Sequence, residues 1–165
     1  GFHELSSLFQ TISIFDKLHI ALADHDAYTC DDPSLSMGPT NLVVKALELF
    51  RSKTHLNFKV SIHLEKTIPQ QAGLGGGSSN AATTLWALNE LLGTKLPLDT
   101  LRLWAAELGS DVPFFLTHGT AFCTGRGEVM QERSQLPMSY ALTIAKPDFG
   151  LSTKEVFQAL RAEEL

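Results

Sequence analysis

The stretch from Asn57 to Gly93 constrains the chain most, because it joins three different backbone demands without a spare residue between them. It reads NFKVSIHLEK, then TIPQQAGLGGGSS, then NAATTLWALNELLG. In the first part Phe58, Val60, Ile62 and Leu64 alternate with Lys59, Ser61, His63 and Glu65, the period of a half-buried strand. In the last part Ala81, Leu85, Leu88 and Leu92 recur at helical spacing and Gly93 follows them, which predicts a helix over 78–92 closed by a left-handed glycine. Between the two stand Gly73, Gly75, Gly76, Gly77, Ser78 and Ser79. Glycine loses more conformational freedom on folding than any other residue, so a cluster of it belongs where the backbone turns with positive φ or approaches something closely.

A strand, a glycine turn and a helix start together make an anion site. The first N–H groups of a helix have no intrahelical acceptor, and the helix dipole places partial positive charge at that end. Glycines keep side chains out of the way, and the Ser78 and Ser79 hydroxyls add donors beside a phosphate or a metal ion. No GK[ST] follows the glycines, so this is not a Walker loop, and the parallel setting and acidic residue of a dinucleotide fingerprint are missing. On pattern alone, a phosphate cradle and a plain flexible turn remain equally good accounts.

The flanks set the fold class. LSSLFQTISIF and KLHIAL read as strands joined by a hairpin turn at Phe15, Asp16 and Lys17. The polar segment from Ala23 to Thr40 reads mostly as loop. NLVVKALELFRS reads as a helix capped by Thr40 or Asn41. After the glycine helix come a helix from an Asp99 cap to Leu108, a turn at SDVPFFL, strands at TAFCTG and YALTIAKP, and a closing helix at STKEVFQALRAEE. Strands and helices mixed in this way, with early strands joined tightly, predict an α+β domain with a mostly antiparallel sheet covered by helices.

Composition narrows the function classes. The chain has 165 residues, 44% hydrophobic and 19% charged, enough for one compact core. A net charge of −5 without a basic run argues against a nucleic-acid partner, and no apolar run is long enough for a bilayer. Cys30 and Cys123 lie far apart and read as reduced, packed thiols. His19, His25, His55, His63 and His118 are scattered, so no metal ligands are assigned. The chain starts at Gly1 without a methionine and stops just after a predicted helix, which reads as a piece of a longer protein. Nothing in it fixes an oligomeric state.

PQQAGLGGGSS, Pro69 to Ser79, resembles the second signature of the GHMP kinases, the superfamily of galactokinase, homoserine kinase and mevalonate kinase. Its continuation NAATTLWALNELLG resembles the branch that acts on 4-diphosphocytidyl-2-C-methylerythritol. GFHEL at Gly1 to Leu5 is similar to the GYHxL segment of that branch, LGSDVPFFL to its LGADVPxF segment, GTAFCTGRGE to its glycine hairpin, and KPDFGLSTKEVF to its substrate-side segment. The resemblance implies an ATP-binding domain over 1–147 and the start of a substrate-side segment over 148–165. It implies an ATP-dependent small-molecule kinase, with Mg²⁺ accompanying the ATP, working on the 2-hydroxyl of the cytidine diphosphate-linked methylerythritol in the non-mevalonate isoprenoid pathway. A bacterial cytoplasm or a plastid stroma would suit it.

Carried over by position, the resemblance assigns the ATP loop to Pro69, Gln70, Gln71, Ala72, Gly73, Leu74, Gly75, Gly76, Gly77, Ser78 and Ser79. The catalytic aspartate falls on Asp111. Recognition of the cytosine ring falls on Phe2, in place of tyrosine, and on His3. The second aromatic against the base falls on Phe157, and a threonine near the substrate phosphates on Thr153. Gln70, Gln71 and Ala72 depart from the more glycine-rich pattern, and a lysine and an asparagine of the family are expected on a strand before Gly1. The chain alone is expected to be inactive. Each residue also has a purely structural reading: Asp111 suits a turn before Pro113, His3 a surface strand, Phe157 a helix core, Glu65 and Lys66 a solvated strand end, and Arg126 an ordinary surface arginine. A mevalonate or homoserine kinase, and a non-catalytic α+β module, remain alternatives.

Overall fold

A computed structural model describes residues 5–127, 129–134, 141–147, 149, 150, 156 and 159. Among the described residues these elements follow one another: β1 (Leu5–Gln10), β2 (Lys17–Leu22), β3 (Ala27–Cys30), α1 (Leu42–Thr54), β4 (Val60–Glu65), α2 (Gly76–Leu91), α3 (Leu98–Leu108), a 3₁₀ helix (Val112–Leu116), β5 (Thr120–Gly125) and β6 (Val129–Glu132). They form two three-stranded sheets, ordered β1-β5-β6 and β2-β4-β3. Three of the four pairings are antiparallel and only β3–β4 is parallel, so the α+β architecture with mostly antiparallel sheets holds.

The expected hairpin does not form. β1 pairs with β5, from Leu5 opposite Gly125 to Gln10 opposite Thr120, while β2 pairs with β4. Asp16 therefore closes no turn between neighbours; its carboxylate bonds across the chain to Thr67 and Ile68. The segment expected as loop contains β3, a short strand whose partner is the edge of β4. Since β3 and β4 run parallel, the chain needs a long crossover, and α1 supplies it.

Asn41 caps α1, its side chain accepting from the Val43 N–H at 2.9 Å. α3 starts one residue before the expected cap: Pro97 stands at the N-cap and Asp99 lies in the first turn, where a carboxylate favours the dipole. Residues 141–147 carry no strand, contrary to the reading of YALTIAKP. Of the closing helix, Val156 and Ala159 are described and helical.

The core sits between the β2-β4-β3 sheet and the helices. Val60 and Ile62 point inward from β4 and pack in one cluster with Val43, Leu47 and Phe50 of α1, Leu85 and Leu88 of α2, and Leu101 of α3, all essentially buried. Phe50 is the hub, with the rings of Trp104 and Phe58 set edge-on at 5.8 and 6.4 Å. A smaller cluster of Phe114, Ala121 and Cys123 packs under the other sheet with Phe9, whose ring stands edge-on to Phe114 at 5.4 Å. The 3₁₀ helix bridges the two clusters. Among the described residues no helix is long and apolar enough to cross a membrane.

Candidate active site

The glycine stretch forms the turn from β4 into α2. The helix starts at Gly76, earlier than the expected Ser78, because Gly75 takes the N-cap with φ +66° and no side-chain cap bond. Ser79 N–H already donates to Gly75 C=O at 2.8 Å, so the N–H groups of Gly76, Gly77 and Ser78 are the ones without an acceptor inside the helix. Gly73 also has positive φ, +69°, and a Cβ there would meet nothing within 4 Å. Gly76 and Gly77 face protein: a Cβ on Gly76 would lie 3.0 Å from Ile68 Cγ2, and one on Gly77 3.3 Å from Leu42 Cδ1. The glycines thus serve two ends. Gly73 leaves an open cradle, and Gly76 and Gly77 let the helix start sit tight against the core.

Two cavities meet at this loop. One, of about 580 Å³, is lined by Ser34, Ser36, Thr40, Asn41, Lys66 and every residue from Pro69 to Ser78. The other, of about 500 Å³, is mostly apolar, lined by Phe9, Ile12, Ile14, Phe15, Ile68, Phe114 and Phe115, with Ser79. Gly73, Leu74, Gly75 and Asp111 line both. Asp111 stands at the N-cap of the 3₁₀ helix, open to the cleft. A Cβ on Gly127, in the β5–β6 hairpin, would be 3.5 Å from its Oδ1, and Leu5 and Phe9 lie beside the same spot. The protein around the carboxyl pushes its pKa above the ordinary carboxylate value by desolvation. A carboxylate so placed is the stronger base for it.

The rim of the polar cavity is fastened by side chains. Gln70 Nε2 donates to Asp32 Oδ2 at 2.8 Å and to Ser34 Oγ at 3.0 Å. The Lys66 N–H donates to Asp31 Oδ1 at 2.7 Å. Gln70 is therefore a tether of the loop to the segment after β3 rather than a bare departure from a glycine pattern.

A family model for the GHMP kinases N terminal domain matches residues 41–119. The 4-diphosphocytidyl-2-C-methyl-D-erythritol kinase of Protochlamydia amoebophila (strain UWE25) is 54% identical over 161 residues, 97% of this chain and 55% of that protein. This chain belongs to the GHMP kinases. The chloroplastic kinase of the same name from Arabidopsis thaliana is 44% identical over 99% of this chain and 44% of its own length. This GHMP kinase chain thus spans about half the length of the curated relatives it matches. A crystal structure of 4-(cytidine 5'-diphospho)-2C-methyl-D-erythritol kinase superposes with a TM-score of 0.75 at 33% identity, over 99% of this chain and 58% of the other. Homoserine kinase from Cytophaga hutchinsonii shares the fold, at a TM-score of 0.65 and 21% identity.

Within this GHMP kinase chain, the structure brings the whole Pro69–Ser79 loop and Asp111 together. Phe2, His3, Thr153 and Phe157 lie outside the described residues. Lys66 overturns its reading as a solvated strand end: its side chain is 6% exposed and its ammonium is 2.9 Å from Asp16 Oδ2. Asp16, 1% exposed, and Asn80 complete a polar group under the loop that the sequence reading missed. Among the described residues no group of three His, Cys, Asp or Glu is set to hold a metal.

Proposed function

We propose that the protein carrying this chain transfers the γ-phosphoryl group of ATP to the 2-hydroxyl of 4-diphosphocytidyl-2-C-methyl-D-erythritol. The observation that carries the reading is Asp111, among the described residues the one ionisable group shared by the walls of both cavities at the glycine loop. The polar cavity suits a nucleotide's phosphates, since Gly73 leaves the cradle open and the N–H groups of Gly76, Gly77 and Ser78 have no acceptor within α2, the arrangement that binds anions at a helix start. The names of the relatives supply the substrate.

The chemistry then follows from position. The substrate hydroxyl lies between Asp111 and the phosphate chain. Asp111 accepts its proton as the oxygen bonds to the γ-phosphorus, and the bond to the β-phosphate oxygen breaks to release ADP. Phosphoryl transfer asks the protein mainly for alignment and charge stabilisation, and the helix start supplies both. Mg²⁺ bound with the ATP would offset phosphate charge, and the Ser78 and Ser79 hydroxyls in the first turn of α2 would be the protein groups to hold it. Phe2, His3 and Phe157 are assigned to the cytidine and Thr153 to the substrate phosphates. A bacterial cytoplasm or a plastid stroma is the proposed compartment, the Arabidopsis relative being named as chloroplastic.

The test is ADP release by the full-length protein with ATP, Mg²⁺ and the named alcohol, comparing wild type with Asp111→Asn. Turnover that falls at least about a hundredfold in the variant, while ATP still binds, supports the assignment. A folded wild type that binds ATP yet turns over only another alcohol, such as homoserine or mevalonate, would replace the substrate and keep the cradle.

A further inference from the structure

The glycine loop has two ends, and one buried carboxylate holds both. Asp16 Oδ1 accepts from the Thr67 and Ile68 N–H groups, each at 2.7 Å, where the chain enters the loop. Its Oδ2 accepts from Asn80 Nδ2 at 2.9 Å, where the chain leaves it as helix. Lys66 Nζ lies 2.9 Å from Oδ2 and 3.2 Å from Oδ1, and also donates to the Ile68 carbonyl. Asn80 is itself 6% exposed. Four donors from two segments converge on one group that comes from a third, the linker between β1 and β2.

This group reaches the loop's backbone. A Cβ on Gly76 would stand 3.4 Å from Lys66 Nζ, so the first residue of α2 rests against the ammonium. Asp16 lines neither cavity, and nothing in the transfer step requires it to touch a ligand.

Stability alone does not account for the arrangement. Taking two charges out of water costs enough that an apolar pair of the same volume often stabilises a fold equally well or better. What an apolar pair cannot provide is direction. A fully satisfied buried network fixes its members in one relative orientation, and here those members flank the N–H groups of Gly76, Gly77 and Ser78. We propose that Asp16 is a positioning residue for the phosphate cradle: through Lys66 and Asn80 it locks the two ends of the glycine loop so that the first turn of α2 faces the nucleotide's phosphates. The inference rests on the reading of this loop as the ATP site.

The decisive comparison replaces the charges by volume. The Asp16→Leu/Lys66→Met double variant keeps the site filled and removes both charges. Thermal melting reports its fold, and calorimetry reports its affinity for ATP with Mg²⁺ and for adenosine. The expected result is a melting temperature close to wild type, an ATP dissociation constant raised at least about tenfold, and adenosine binding changed less than about twofold. That split separates a positioning role from a structural one, which would lower both affinities together or neither. Because Lys66 itself lines the polar cavity, the variant that keeps its ammonium, Asp16→Asn, separates positioning from loss of a direct lysine–phosphate contact. Asp16→Asn, which preserves shape and one acceptor oxygen, is measured well below its melting temperature as the second arm and should show the same split. Wild-type ATP affinity in either folded variant would overturn the proposal, as would equal weakening of ATP and adenosine. A wild type that fails to bind ATP at all would sink the ATP reading itself and this inference with it, whereas an ATP-binding wild type with unaffected variants would sink this inference alone.

Discussion

A Cβ placed on Gly75 would stand 2.8 Å from Cζ of Phe115, so the helix start and the segment that carries Asp111 are packed backbone against ring. Phe115 belongs to the 3₁₀ helix that begins directly after Asp111, and its ring is braced edge-on by Phe114 at 5.2 Å. The separation between cradle and carboxylate is therefore set by van der Waals contact at a residue with no side chain.

Two glycine substitutions test this. Gly75→Ala meets both a positive φ of +66° and the Phe115 ring, and should cost about 2–4 kcal/mol of stability, combining left-handed strain with overpacking. Gly73→Ala has a similar φ, +69°, and open space, so only about 1–2 kcal/mol of strain applies. Denaturant midpoints at unchanged slope measure the difference. Equal losses would mean that the ring moves aside freely and does not set the spacing.

Asp111 should show opposite effects on activity and stability. Desolvation raises its pKa, so the folded chain holds the proton more firmly than the unfolded chain does. Its contribution to stability is then full below the ordinary carboxylate pKa and is lost as pH rises through the raised one. Asp111→Asn mimics the protonated state and should melt above wild type at neutral pH. Activity runs the other way. The base must be ionised, so turnover of the full-length enzyme falls as pH drops through the pKa of Asp111. A variant that melts lower than wild type across neutral pH would contradict the desolvation account.

How much of this was legible follows from where each signal lives. The alternation around Ile62 and the stripe through Leu85 report burial of one face, which is local, and β4 and α2 form where those periods predict. The left-handed Gly93, φ +62°, is also local chemistry. Pairing is not local: nothing in LSSLFQ shows that its partner lies at Thr120–Gly125, so a hairpin was expected where Asp16 instead reaches Thr67. β3 was hidden for the same reason, since a short polar segment becomes a strand only where another strand offers an edge. At the site, Asp111 was reached through the family resemblance, because an aspartate two residues before a proline otherwise reads as a turn. Lys66 was misread because burial of a lysine depends on a partner fifty positions away, which no window around it reveals.

Far from the cradle, Asp26 should govern the acid limb of stability. Its carboxylate accepts from Arg51 Nη2 at 2.7 Å, from the Val60 N–H at 3.1 Å and from Lys59 Nζ at 3.2 Å, joining the start of β3 to α1 and β4. Although desolvation acts to raise its pKa, the bonds to Arg51, Val60 and Lys59 prevail and hold it at about 2. A depressed carboxylate pKa contributes stability that is fully present above the ordinary value near 3.8 and is lost as pH falls toward about 2. The site is partly open, with 23% of the Asp26 side chain exposed, so solvent screening limits the term to about 1 kcal/mol. Asp26→Asn should accordingly lower stability at pH 7 and flatten its decline between pH 4 and 2, leaving the two proteins closer at the acid end. Denaturant unfolding at both ends of that window measures the effect, and parallel pH dependences in the two proteins would show that Asp26 does not carry it.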